Sequence, residues 1–176
     1  GLVELFDAMP LLIERGYDVE LQMYGATYDD AKLPVLEREA HSKGLGERFS
    51  YGGFLEAGSA LLAAYDAADV YVLPTHGEGS VTRTVKEAFA VGLPVVTTTI
   101  REITAFLEDG KHAVLVPVDN APALADGIAR MIDDAELRER VAANGFEWVG
   151  YYTNENSSTI VANHVRDEIK AWSARR

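Results

Sequence analysis

Cysteine is absent from the 176 residues, which excludes a disulfide and a thiolate zinc site and fits a reducing compartment such as the cytoplasm. Positive charge is scarce as well: 16 lysines and arginines stand against 28 aspartates and glutamates, a net charge of -12. A chain so balanced does not hold nucleic acid or an anionic membrane by bulk attraction, although a local positive patch stays open to it. No apolar run approaches the length needed to cross a bilayer, and Gly1-Leu2-Val3-Glu4 lacks the basic-then-apolar form of a secretory signal. Three familiar site patterns are missing too: a glycine loop ending in Lys-Ser/Thr, a Gly-x-Gly-x-x-Gly and a Gly-x-Ser-x-Gly elbow. No His, Asp or Glu residues stand at metal-ligand spacing, so no metal site is expected. What remains is an ordinary globular composition, 48% apolar and 9% aromatic, enough for one domain with a sizeable core. A first residue that is Gly and not Met leads us to expect a chain processed or cut from something larger.

The apolar periodicity alternates between helix and strand. Leu2, Leu5, Phe6, Met9, Leu12 and Ile13 recur at helical spacing until Gly16, where a C-terminal glycine belongs. Val19 to Tyr24 alternates as a strand, and Leu33, Leu36 and Ala40 predict a helix closing near Gly44. Arg48 to Tyr51 is a short strand halted by Gly52-Gly53, and Leu61, Leu62, Tyr65 and Ala68 mark the next helix. Val70 to Leu73 is apolar throughout, as expected of a strand covered on both faces. Leu93 to Thr98 predicts a further buried strand, Arg101 to Leu107 a short helix and Ala113 to Val116 the last strand, after the turn Asp109-Gly110. Beyond Asn120 the pattern is helical only. Leu124, Ile128, Met131 and Ile132 line one face, Leu137, Val141 and Trp148 another, and Val161, Val165, Ile169 and Trp172 a third. The fold class that follows is α/β: an open parallel sheet with helices on both faces, right-handed crossovers and C-terminal helices, in a single domain over 1–176.

Between the Val70 strand and the Leu93 strand lies His76-Gly77-Glu78-Gly79-Ser80-Val81-Thr82-Arg83-Thr84-Val85-Lys86-Glu87, a glycine-bearing loop that enters a helix closed by Gly92. A helix start carries unpaired N–H groups and about half a positive charge, and glycines let an anion approach the backbone. The N–H groups of Val81 to Arg83 and the Arg83 guanidinium suit a diphosphate. Glu87, one turn on at i+4 from Arg83, suits a vicinal diol such as a ribose. The same residues also read as plain structure: Arg83 and Glu87 as a solvated helix pair, and Thr84-Val85-Lys86-Glu87 as a capping box. His76 and His112 read as surface residues ahead of proton carriers. Asp66 and Asp69, beside Tyr65, suggest chemistry, but Asp69 ends a helix before a buried strand and reads as structural.

Three segments then carry a resemblance in order along the chain: Tyr65-Asp66-Ala67-Ala68-Asp69-Val70-Tyr71-Val72-Leu73-Pro74, then Glu87-Ala88-Phe89-Ala90-Val91-Gly92-Leu93-Pro94-Val95-Val96, then Glu108-Asp109-Gly110 through Leu115-Val116-Pro117. Together they resemble the C-terminal, nucleotide-sugar-binding domain of retaining glycosyltransferases of the GT-B fold, the group 1 or family 4 type. The resemblance implies a Rossmann-like half of that fold and transfer of a sugar from a nucleoside diphosphate sugar to an acceptor hydroxyl, without a cofactor or metal. It implies donor contacts at Gly79, Ser80, Val81, Thr82 and Arg83, a ribose contact at Glu87, and Phe54 and Glu56 bordering the base.

The family has two glutamates with seven residues between them, and the second maps onto Glu87. Counting back places Gly79 where the first belongs, with Glu78 one position early. Glu78 is therefore the catalytic candidate, and either reaches the sugar from a shifted loop or does not perform that role. Thr99-Ile100-Arg101-Glu102 stands where many relatives have a Gly-Gly-x-x-Glu turn. The family's first strand, with its arginine and lysine, and its N-terminal acceptor domain would both precede Gly1. The chain is thus expected to be a fragment, inactive alone, whose acceptor (a sugar, lipid or protein) meets the missing domain. A cytoplasmic enzyme, in some cases peripheral to the membrane, is the implied setting. A nucleotide-sugar epimerase, a glycogen-type synthase, or a module that binds sugar nucleotides without chemistry stay open as alternatives.

Overall fold

A computed structural model describes the protein at residues 1–26, 33–77, 80–152 and 156. Helix α1 (Leu2–Glu14) precedes β1 (Leu21–Met23), α2 (Leu33–Ser42), a short 3-10 turn and β2 (Phe49–Tyr51). Then come α3 (Ser59–Asp66), β3 (Tyr71–Leu73), α4 (Arg83–Ala90), β4 (Val95–Thr98), α5 (Arg101–Thr104), β5 (Val114–Val116), α6 (Ala121–Asp133) and α7 (Ala135–Tyr151). The order is the alternation that the apolar pattern predicts, and every strand pair is parallel. The expected helix through Val161, Val165, Ile169 and Trp172 lies outside the described residues.

The glycine stops act as the sequence suggests. At the end of α1, Gly16 takes φ 90°, and its N–H reaches the Ile13 carbonyl at 2.9 Å while Tyr17 N–H reaches Leu12 at 3.1 Å. Gly92, at φ 75°, repeats this at the end of α4, with Gly92 N–H to Phe89 at 3.0 Å and Leu93 N–H to Ala88 at 2.9 Å. Each is the paired closure that a left-handed residue makes possible, and each turns the chain sharply into the next segment.

The strands form two ladders, β1-β2 and β3-β4-β5, instead of one sheet. β4 is central in its ladder and all four of its residues are buried. β3 pairs with β4 alone among the described residues, so Tyr71, Val72 and Leu73 are only half-buried. The expectation of a Val70 strand covered throughout is corrected there, because an edge strand keeps one side open.

Successive side chains of a strand point to opposite faces, and the two faces hold two separate cores. Val96, Val114 and Val116 join Leu5, Phe6, Met9 and Leu12 of α1 and Leu124, Ile128 and Met131 of α6. Val95 and Ala113 join Val85 and Phe89 of α4, Ile103 of α5 and Tyr65 of α3. Helices therefore cover both faces. Gly127 lets α6 lie close on the sheet: a Cβ there would sit 2.7 Å from Val116 Cγ1. Ile132, placed by periodicity on the buried face of α6, is 37% exposed; it stands in the last turn, where α6 is leaving the sheet.

Candidate functional site

The loop that leaves β3 is held by the neighbouring strand. Thr97 Oγ1 donates to the Leu73 carbonyl at 2.8 Å and Thr98 Oγ1 to the Thr75 carbonyl at 2.5 Å. Both threonines are buried, so their hydroxyls find partners as buried polar groups must, and in doing so they aim the chain at α4. His76 Nε2 lies 3.3 Å from Glu4 Oε1 and 3.4 Å from Asp119 Oδ1, which fastens the loop to α1 and to the β5–α6 turn.

At the start of α4, Thr82 is the cap. Its backbone is extended and its Oγ1 accepts from Val85 N–H at 3.3 Å, while Lys86 N–H reaches the Thr82 carbonyl at 3.1 Å. The capping-box reading of Thr84 to Glu87 is thereby corrected: Thr84 is already inside the helix, and the cap stands two residues earlier. Val81, Val85, Ala88 and Phe89 face the core, which turns the opposite side of α4 outward. Arg83 is exposed. The Arg83–Glu87 ion pair allowed by their i, i+4 spacing is not formed. Among the described residues, the N–H groups of Arg83 and Thr84 have no acceptor and the Arg83 guanidinium has no anionic partner. The helix end thus presents two unpaired N–H donors, a free cation and the positive end of its dipole to solvent.

Glu87 is half-buried one turn along. Its Oε2 accepts from the Tyr65 hydroxyl at 3.1 Å, and that hydroxyl also lies 3.4 Å from the Thr84 carbonyl oxygen. Burial, with the charges of Tyr71 and Glu87 and the hydrogen bond to Glu87 adding to it, pushes the Tyr65 phenol well above its ordinary value. It stays protonated and remains a donor. Tyr65 is the residue that pattern reading passed over: it looked like one more apolar position of α3, and nothing local ties it to a carboxylate on another helix.

Of the other candidates, Ser80 is exposed and Val81 buried, while Glu78 and Gly79 lie outside the described residues. Phe54 is 67% exposed and Glu56 is also exposed, both on the loop after β2. Gly52, at the foot of that loop, is filled over by the Tyr24 ring, whose Cε1 would be 2.1 Å from a Cβ. No hydrogen bond or ion pair joins Phe54 or Glu56 to α4 among the described residues. Asp66 and Asp69 are exposed, and neither makes an ion pair there.

Of the two histidines, His76 is exposed, as read from the sequence, and His112 is not. His112 is buried, not a surface residue: its Nδ1 accepts from Glu108 N–H at 3.1 Å, and burial, with the Lys111 charge, lowers its affinity for a proton. His76, with Glu4 and Asp119, offers three ligand atoms within 4.8 Å of one another, a set that could accept a cation. Spacing along the chain hides it, since the three residues come from α1, the β3–α4 loop and the β5–α6 turn. Glu4 is held below the ordinary carboxylate range, first by a hydrogen bond from its own backbone and then by the amino terminus and His76, against the desolvation that raises it.

The family model described as glycosyl transferases group 1 matches residues 1–134. The phosphatidyl-myo-inositol mannosyltransferase of Mycobacterium leprae (strain TN) is 35% identical over 153 residues, covering 86% of this chain and 39% of that protein. Among solved structures, the C-terminal domain of a glycosyl transferase group 1 family protein (LpcC) from Francisella tularensis superposes with a TM-score of 0.71 at 25% identity, covering 84% of this chain and 76% of that one. Anabaena Alr3699/HepE, solved in complex with UDP and glucose, superposes with a TM-score of 0.77 at 18% identity, covering 96% and 44%; at that identity the likeness is one of fold. The chain spans about two fifths of the length of that mannosyltransferase, 39% of it.

Proposed function

The chain belongs to the group 1 glycosyl transferases, and we propose that it is the donor-binding half of a retaining member, moving a sugar from a nucleoside diphosphate sugar to an acceptor hydroxyl. One observation carries the reading. Among the described residues, the solvent end of α4 joins unpaired N–H groups and an unpartnered Arg83 to a half-buried carboxylate one turn deeper. That is the sequence of charges a nucleoside diphosphate needs, phosphates at the positive helix end and a pentose diol at the carboxylate. The UDP bound by the HepE neighbour supports the same ligand class here.

In the transfer, the bond from the anomeric carbon to the diphosphate oxygen breaks, and its electron pair leaves with the diphosphate. An oxocarbenium-like sugar remains, to be taken by the acceptor hydroxyl on the face the leaving group vacates, while the hydroxyl proton passes to the departing diphosphate oxygen. The work of this half is electrostatic. Backbone N–H groups from Gly79 to Arg83, with the Arg83 guanidinium, meet the charge that grows on the leaving oxygens, a scheme that asks for no metal. Glu87 holds the ribose, Phe54 and Glu56 border the base, and Glu78 is the carboxylate assigned to the sugar.

The acceptor, whether sugar, lipid or protein, belongs to a domain preceding Gly1. The relative named as a phosphatidyl-myo-inositol mannosyltransferase supports a lipid among these. No helix among the described residues is long and apolar enough to cross a membrane; a cytoplasmic enzyme, peripheral to the membrane where the acceptor is a lipid, is part of the same reading.

The test is kinetic, in the full-length enzyme. Arg83→Ala is expected to lower kcat/KM by about ten- to a hundredfold, the scale of a lost charge-assisted hydrogen bond, and Glu87→Ala to raise the KM for the donor. Unchanged donor affinity and turnover in both variants would remove the assignment.

A further inference from the structure

Tyr65 takes no part in the transfer outlined above, yet it is only 9% exposed and its hydroxyl donates to the carboxylate of Glu87. Its ring packs beside Tyr71 at a centroid separation of 6.0 Å, within the core that also holds Val85 and Phe89 of α4. The hydroxyl has one proton and two acceptors in reach: Glu87 Oε2 at 3.1 Å and the Thr84 carbonyl at 3.4 Å. The proton goes to the carboxylate, which is nearer and charged. Glu87 Oε1 has no partner among the described residues.

A glutamate on a helix surface samples many rotamers, and a clasp on two adjacent hydroxyls needs its carboxylate plane fixed before the ligand arrives. We propose that Tyr65 is a positioning residue for nucleotide recognition: by occupying Oε2 of Glu87 it fixes the carboxylate so that the remaining lone pairs face the ribose diol. It does not touch the ligand. A buried aromatic on α3 supplies rigidity, and the carboxylate on α4 supplies contact. This role rests on the ribose reading of Glu87.

The experiment compares ribose and dideoxyribose. Calorimetric affinities of UDP, GDP and ADP, each with its 2′,3′-dideoxy analogue, are measured for the wild-type protein, Tyr65→Phe, Glu87→Ala and the double variant. The wild type is expected to prefer the ribonucleotide of its best base by about tenfold or more, as hydrogen bonds to a charged group do. Tyr65→Phe keeps the ring on Tyr71, and is expected to reduce that preference about two- to tenfold while leaving dideoxynucleotide affinity unchanged. In the Glu87→Ala background, where the hydroxyl has no carboxylate to hold, the same change is expected to do nothing further. A merely structural tyrosine would weaken both nucleotides alike, or leave the preference intact, and either result overturns the positioning role. A wild type that binds ribose and dideoxyribose forms equally would overturn the ribose reading itself, and this role with it.

Discussion

Gly145 and Gly150 stand on the same helix, α7, and differ in what lies above them. A Cβ at Gly145 would meet the Phe89 ring at 2.5 Å from Cδ1, 2.8 Å from Cε1 and 3.0 Å from Cγ, whereas one at Gly150 meets nothing within 4 Å. Carbon atoms rest at about 3.5–4.0 Å, so Gly145→Ala must push α7 and α4 apart by about 1 Å. Phe89 cannot simply turn away: it is fully buried, and Trp148 packs its edge at a centroid separation of 5.9 Å. Overpacking of this kind costs about 1–3 kcal/mol, and the gain in helix propensity from Gly to Ala offsets about 1 kcal/mol. Net destabilisation of up to about 2 kcal/mol follows, a fall in Tm of about 2–4 °C for each kcal/mol in a chain of this size. Gly150→Ala carries only the gain and is expected to be neutral or to raise Tm.

The second readout lies at the site. Phe89 is on α4, two residues past Glu87, and a displacement of about 1 Å exceeds what the 3.1 Å Tyr65–Glu87 hydrogen bond can absorb. Gly145→Ala is therefore expected to weaken nucleotide binding and Gly150→Ala to leave it unchanged, measured by thermal melts and calorimetry side by side. Equal Tm shifts in the two variants would refute the packing argument. A destabilised Gly145→Ala with wild-type nucleotide affinity would refute its link to the site.

Thr82→Ala removes the acceptor for Val85 N–H and is expected to cost about 1 kcal/mol of stability, with Thr82→Ser close to wild type in the same melt. His112 titrates in a defined direction: its folded-state affinity for protons is lowered from the ordinary value of 6.5, so the unfolded chain binds the extra proton first. The stability it contributes is full above 6.5 and is lost as pH falls through the lower folded value; protonation also ends the acceptance from Glu108 N–H. Denaturant melts from pH 7 to pH 5 are expected to show that loss, and His112→Phe to flatten it. Thr98→Val keeps the buried shape but leaves the Thr75 carbonyl without that donor, with an expected cost of about 1–3 kcal/mol and a weaker hold on the loop before α4.

Much of this architecture is legible in the sequence because apolar spacing and glycine stops are local signals. Gly16 and Gly92 close their helices as read, and Val95-Val96 buries one side chain on each face of the sheet. What spacing cannot convey is which elements become neighbours. Val70 to Leu73 is as apolar as a central strand, yet lies at a ladder edge, and only pairing reveals it. Thr84 and Glu87 have the letters of a capping box, but helix α4 starts at Arg83, and Thr82 takes the cap. The convergence of Glu4, His76 and Asp119 and the bond from Tyr65 to Glu87 are both products of tertiary packing. In each, residues far apart in sequence are joined by a contact that leaves no periodicity. The family likeness supplied the donor roles of Phe54, Glu56 and Ser80, for which the residues themselves carry little chemistry.

The central claim is that the amino end of α4 holds a diphosphate while Glu87 holds the adjoining ribose. Amide chemical shifts of the protein, followed by nuclear magnetic resonance during titration with UDP, GDP and ADP, test it most directly. Saturable shifts concentrated at Ser80 to Thr84 and around Glu87, lost in Arg83→Ala, are the expected result. Shifts confined to other parts of the chain, or the same shifts in Arg83→Ala, would contradict the account.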